Sequence, residues 1–246
     1  IGDDIADEGT EPPAERRVRL AAWQRQLHEA LGAVAAPPAT ATRDTLIIAA
    51  TAHSIRTLRL PLALFDDLVS AFAQDITTTR YDTWSDLADY CRRSANPVGR
   101  LVLRIGGYND PRLDHASDAV CTALQLTNFW QDIERDWQKG RVYVPQDELQ
   151  ATGAREQDIA DRLLTAEWRA TLASAAARTR SFFDEGREIT SLVAGRLRWE
   201  LRLTWLGGVR ILDRLERGNF DVFARRPALS IADAPWIAWR ALAWNT

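Results

Sequence analysis

Asn128, Asp132 and Asp136 recur at steps of four in the stretch LTNFWQDIERDWQKGRVYVP, residues 126–145. On a helix that spacing stacks the three polar groups along one face. Around them stand Leu126, Phe129, Trp130 and Trp137, all apolar. Two carboxylates and an amide on so apolar a segment have two readings: a solvated outer face, or a cation site pointing into a cavity. The opening DDIADE supplies a second stripe, with Asp3 and Asp7 at one i,i+4 spacing and Asp4 and Glu8 at another. Like charges so placed destabilise an isolated helix by ~0.2–0.5 kcal/mol per pair. Such a cluster calls for a counter-cation.

Carboxylate oxygens with no His or Cys beside them suit Mg²⁺, which keeps waters and completes its octahedron with phosphate oxygens. The same donor set argues against zinc. If the two stripes face each other across a cavity, Asp3, Asp7, Asp132 and Asp136 bring four negative charges. Divalent ions matching that charge would hold a diphosphate and stabilise it as a leaving group. An allylic diphosphate so held ionises to a carbocation, which apolar and aromatic walls shelter from water. Directly after the second stripe, GRVYVP forms a loop able to place Arg141 and Tyr143 by a phosphate.

Helices must position these groups. Apolar residues recur at steps of three and four almost throughout, and strand alternation is nearly absent. Leu20, Trp23, Leu27, Leu31 and Val34 make one such stripe, with Pro12–Pro13 marking its start. A second helix is expected after a cap at Thr42 or Asp44, and a third within residues 61–80. A fourth, within 83–107, is expected to kink at Asn96–Pro97, where proline removes an N–H and clashes with the preceding turn. The longest is expected to run from a cap at Asp110, through Pro111 in the first turn, to a stop at Gly140. At 1.5 Å per residue it spans roughly 40 Å. Helical stretches follow in residues 158–189, 191–218 and 230–244. With no fixed repeat and no domain-sized linker, residues 1–246 read as one all-α domain of long packed helices.

Composition narrows the function. The 246 residues carry a net charge of −3 with no Lys/Arg block, which excludes nucleic acid as the expected partner. Cys91 and Cys121 read as small buried thiols in a reducing compartment, hence a cytoplasmic location. His28, His53 and His115 form no ligand cluster, and most of the ten Trp are expected in the core. No apolar run approaches the ~20 residues needed to span a bilayer. The sequence holds no Met, and its opening reads as the end of a helix, so earlier turns are expected to precede it.

The pair DDIADE and QLTNFWQDIERDWQKGRVYVPQDEL resembles the two aspartate-rich motifs of the squalene/phytoene synthase family. TRYDTWSDLADYCRRSANPVGRLVL is similar to the stretch between them, and WELRLTWLGGVRILDRL and RRPALSIAD to its C-terminal part. The resemblance covers nearly the whole chain. It implies an isoprenoid synthase-type helical bundle with a central cavity, a prenyl diphosphate substrate and Mg²⁺ as cofactor. By motif match, Asp3, Asp7, Asp132 and Asp136 are the implied Mg²⁺ ligands, and Asn128 and Gln125 face the diphosphate. Tyr90 stands near it, and Arg141 and Tyr143 belong to the loop after the second motif. The family's first helix has no counterpart here.

Two departures are informative. Where most members read Val-Ala-Gly, this chain has Ser94-Ala95-Asn96-Pro97, and where many read Asn-Ile-Leu-Arg-Asp it has Asn128-Phe129-Trp130-Gln131-Asp132. Both variants are similar to the bacterial hydroxysqualene synthases of hopanoid pathways. That resemblance implies conversion of presqualene diphosphate to hydroxysqualene without NADPH, water capturing the rearranged cation. The missing Arg leaves one fewer cation near the diphosphate.

Other readings stand beside these. Tyr90 by itself reads as a core aromatic with its hydroxyl satisfied. Trp130 lies well around the helix from Asn128 and Asp132, so it is not assigned to cation stabilisation. The Trp-rich stretch APWIAWRALAW reads either as a helix docked on the core or as an interfacial segment in peripheral contact with a membrane. Rival functions are head-to-head condensation of prenyl diphosphates and a non-catalytic assembly role. Oligomeric state is not readable from the sequence.

Overall fold

The computed structural model describes residues 1–7, 11–33 and 40–244, and of Asp7 the backbone alone. Glu8 and Val34 lie outside the described residues. Within them the chain is all-α, with no strand. The helices are α1 (Gly2–Asp7), α2 (Pro13–Gly32), α3 (Arg43–Leu58), α4 (Leu62–Asp75), α5 (Trp84–Ser94), α6 (Asn96–Ile105), α7 (Pro111–Gln131), α8 (Ile133–Gln138), α9 (Gln146–Thr152), α10 (Glu156–Ala160), α11 (Ala166–Gly186), α12 (Ile189–Leu192), α13 (Gly195–Arg217) and α14 (Ala234–Leu242).

Local chemistry explains the boundaries. Thr42 caps α3 by accepting from the Thr45 amide at 3.3 Å. Thr83 and Asp86 form a reciprocal capping box on α5. Asp110 accepts from the Arg112 amide at 2.8 Å, with Pro111 opening α7 as expected. Proline at 97 splits the fourth predicted helix into α5 and α6 at Ala95.

The longest predicted helix is also divided. Asp132, at φ −109° and ψ 16°, separates α7 from α8. The backbone bonds run on through it, Asp132 N to Asn128 O at 2.9 Å and Asp136 N to Asp132 O at 2.8 Å. The axis therefore continues while one residue leaves helical geometry, at the position where a long-range ion pair draws the carboxylate aside.

α7 is the centre of the molecule, packed against α5, α6, α11 and α13. Its apolar face disappears into the main core: Leu126, Phe129 and Trp130 are buried with Trp168, Leu172 and Phe183 of α11 and Leu206 and Leu212 of α13. The Trp130 indole donates to Thr179 Oγ1 at 2.8 Å, which satisfies its one polar atom and keeps it in the core. Gly186 lets α11 approach α7 closely, since a Cβ there would fall 2.6 Å from the Ala116 carbonyl oxygen. A smaller cluster joins α1, α2 and α4 through Ile5, Leu20 and Val69, and another joins α2 and α3 through Leu27, Ile48 and Ile55.

The Trp-rich C-terminal stretch docks. Trp244 packs edge-on to Trp205 at 5.3 Å, and Arg210 lies over Trp236 at 4.9 Å. Trp239 and Leu242 of α14 face outward. Among the described residues no helix is long and apolar enough to cross a membrane. Cys91 is buried and Cys121 half-buried, both as free thiols, and burial pushes them up to about 12 and about 11 respectively.

Candidate active site

Asp132 is only 9% exposed. A carboxylate so placed needs a partner. Arg226 provides it, with Nε at 2.5 Å from Oδ1 and Nη2 at 2.9 Å from Oδ2, a bidentate fork. The carboxylate holds the Arg226 guanidinium in its charged form, above its ordinary range. Arg135 stands at 3.6 Å from the same carboxylate.

The segment carrying Arg226 is pinned over the α7–α8 junction. Gln131 donates to the Pro227 carbonyl, Arg214 to the Ala228 carbonyl, and Arg162 to the Phe223 carbonyl at 2.8 Å. Asp233 gathers Arg210 at 3.0 Å and Arg214 at 2.7 Å. The Ser230 amide, with those arginines, holds its carboxyl down at about 2. Gln131 therefore serves as a tether, while a guanidinium reaches Asp132 from 94 residues away.

A second grouping surrounds Asp75 at the end of α4. The Tyr90 hydroxyl donates to Asp75 Oδ2 at 3.0 Å, and Arg141 Nη2 donates to the Asp75 carbonyl at 3.1 Å. Tyr143 stacks on Phe129 with centroids 3.7 Å apart and lies 6.1 Å from Tyr90 and 5.9 Å from Tyr81. Burial first, and the nearby Asp75 charge second, push the Tyr90 hydroxyl far above the ordinary phenol range. Burial, with Tyr143 and Asp75 close by, does the same for Tyr81. An enclosed space of about 10 Å³, enough for one water, is lined by Asp136, Arg141, Tyr143, Phe129 and Ile133 among others.

The structure thus joins Tyr90, Arg141 and Tyr143, with Asp136 sharing a lining with the last two, and places Asp132 against Arg226. Asn128 is exposed and Gln125 half-buried on α7. Asn128 opens onto a groove of about 410 Å³ between α7 and α13. Asp3 is exposed on α1, and the Asp7 side chain lies outside the described part. The donors are hard oxygens that fit Mg²⁺ in kind, yet among the described residues no three His, Cys, Asp or Glu side chains converge to hold a metal ion.

Sequence reasoning did not single out Arg226, Asp75 or Tyr81. RRP and RY were visible, but nothing local reveals that Arg226 meets Asp132 or that Asp75 receives Tyr90.

An all-α bundle with two aspartate-rich motifs on its helices has the architecture of the isoprenoid synthases. The squalene/phytoene synthase profile matches residues 1–233, and the chain belongs to that family. It is 35% identical over 203 residues to the hydroxysqualene synthase of Sinorhizobium fredii (strain NBRC 101917 / NGR234), covering 82% of this chain and 65% of that protein. It is 30% identical over 188 residues to phytoene synthase 1 of Arabidopsis thaliana, covering 74% and 44%. Among solved structures, squalene synthase HpnC from Alicyclobacillus acidocaldarius superposes with a TM-score of 0.79 at 40% identity, over 89% of this chain and 79% of that one. The chain spans less than two thirds of the length of these curated relatives.

Proposed function

We propose that this chain acts on a prenyl diphosphate, and specifically that it converts presqualene diphosphate to hydroxysqualene. The observation that carries the reading is the second motif, NFWQDIERD, in a chain 35% identical to a hydroxysqualene synthase and 40% identical to squalene synthase HpnC. Asp3, Asp7, Asp132 and Asp136 are the residues that would hold Mg²⁺. The ion, when bound, supplies positive charge that balances the diphosphate and makes it a better leaving group.

The chain's own groups do the rest. The Asn128 amide, exposed at the groove, and Gln125 a turn earlier donate to diphosphate oxygens. Arg141 adds positive charge and Tyr143 donates from the loop after the motif, while Tyr90, whose one hydroxyl proton is given to Asp75 at 3.0 Å, holds the wall beside them as a neutral phenol that burial enforces. The carbon–oxygen bond to diphosphate breaks and its electron pair leaves with the diphosphate. The carbocation rearranges against apolar walls, water adds through oxygen, and the proton of that water is lost. The lipid product and the outward Trp239 and Leu242 support peripheral membrane contact in a cytoplasmic setting.

The phytoene synthase relatives favour a second reading, head-to-head condensation. Incubation with Mg²⁺ and presqualene, farnesyl or geranylgeranyl diphosphate, with products read by mass spectrometry, separates them. Hydroxysqualene from presqualene diphosphate is expected. Phytoene from geranylgeranyl diphosphate, or squalene-type product only from farnesyl diphosphate, overturns the main reading. Asp132→Ala and Asp3→Ala are expected to lower turnover by at least about 100-fold with helical content unchanged. A variant with near-normal product formation contradicts the role of that stripe.

A further inference from the structure

Gly207 and Gly208 are neighbours on α13 with opposite surroundings. A Cβ on Gly208 would lie 2.5 Å from Leu124 and 2.6 Å from Phe183, so that glycine exists for close helix packing. A Cβ on Gly207 meets only the Leu229 side chain, at 3.3 Å, and Leu229 is exposed at the edge of the groove. Nothing in the packing of the core requires a glycine at 207.

What Gly207 does border is the groove between α7 and α13. Its walls are Leu124 on one side, Leu203, the two glycines and Ile211 on the other, and Leu229 from the segment that carries Arg226. At about 410 Å³ it falls within the ~300–1,000 Å³ range of small-molecule pockets. Most of its polar lining is on α7, where Asn128 and Gln131 stand next to Asp132, with Thr204 on the α13 side. The groove is thus mostly apolar along α13, with Thr204 the polar residue there, and continuous on α7 with the residues proposed to meet the diphosphate. An amphiphile with an anionic head and a hydrocarbon chain matches that layout.

We infer that Gly207 and Leu229 together set the width of the channel that receives the hydrocarbon chain of the substrate, and so select among prenyl chains. This rests on the proposed prenyl diphosphate function. A side chain at 207 would project across the groove toward Leu229 and occupy the path of the chain, while Leu229 bounds it from the other side. Gly208 also borders the groove, but a side chain there would collide with Leu124 and the buried Phe183, so packing rather than the width of the groove fixes that glycine.

The test separates head from tail. Binding is measured by calorimetry with Mg²⁺ and either inorganic diphosphate or farnesyl S-thiolodiphosphate, an unreactive analogue, on the full chain. The wild type should bind the analogue more tightly than diphosphate. Gly207→Phe should weaken the analogue by about tenfold or more, the scale of lost apolar contact, and leave diphosphate affinity within about twofold. Leu229→Trp narrows the groove from an exposed position outside the core, and should act in the same direction. Undiminished analogue binding in a folded Gly207→Phe and in Leu229→Trp overturns the inference while leaving the function intact. A wild type that binds diphosphate but gains nothing from the farnesyl chain also overturns it. A wild type that binds neither ligand overturns the proposed function, and this inference with it.

Discussion

Asp132 and Arg226 lie 94 residues apart in sequence and meet through two hydrogen bonds, at 2.5 and 2.9 Å. The pair sits where α7 breaks into α8, and it ties the last segment of the chain to the central helix. Because Arg226 is about one third exposed, its contribution is moderated by solvent. Because Asp132 is nearly buried, loss of the arginine leaves a carboxylate poorly compensated.

Arg226→Gln is therefore expected to destabilise the fold by roughly 2 kcal/mol, with Arg226→Lys recovering little, since an ammonium cannot reproduce the fork. A double-mutant cycle with Asp132→Asn, read by urea unfolding, should show positive coupling. Additive effects would mean the two residues are not energetically linked.

Tyr90 and Tyr81 are expected to stay protonated well above pH 10 while the chain is folded, because burial raises both. A raised folded-state value means that stability is fully present below the unfolded phenol range and is lost as pH climbs through it. Absorbance at alkaline pH should therefore show Tyr81 and Tyr90 ionising only with unfolding. Tyr90→Phe removes the donor to Asp75 and is expected to cost about 1–2 kcal/mol. An unchanged melting profile in Tyr90→Phe would contradict the contact.

Acid should loosen the C-terminal segment before the core. The Asp233 carboxyl is held at about 2 by the Ser230 amide and by Arg210 and Arg214, against an ordinary value of 3.8. Glu156 is also lowered: burial works against it, but Arg80 and Gln146 hold the charged form. Groups lowered in the folded state contribute stability above their unfolded values and lose it as pH falls through the folded ones. Tm should thus fall between pH about 4 and about 2, and Asp233→Asn should flatten that fall. Equal acid sensitivity in wild type and Asp233→Asn would rule this out.

Gly186→Ala probes the α7–α11 contact. The added Cβ would stand 2.6 Å from the Ala116 carbonyl oxygen and 2.8 Å from the Val120 amide nitrogen, both backbone atoms that cannot swing away. The expected cost is about 2–3 kcal/mol, a Tm drop of roughly 5–10 °C. Gly207→Ala, facing a flexible Leu229, should lose far less.

Sequence alone determined the all-α class, most helix boundaries and the family. These depend on short-range signals: apolar steps of three and four, the Thr83–Asp86 capping box, Pro111 in the first turn, Pro97 at the kink, and two acidic motifs that each fit within nine residues. Only the tertiary structure decided that Trp130 is spent on Thr179, that Tyr90 donates to Asp75, and that α7 yields at Asp132 to reach Arg226. The physical reason is range. Capping and periodicity act within a turn or two of helix, whereas a buried charge or hydroxyl takes whichever partner packing brings to it, and that partner can stand anywhere along the chain.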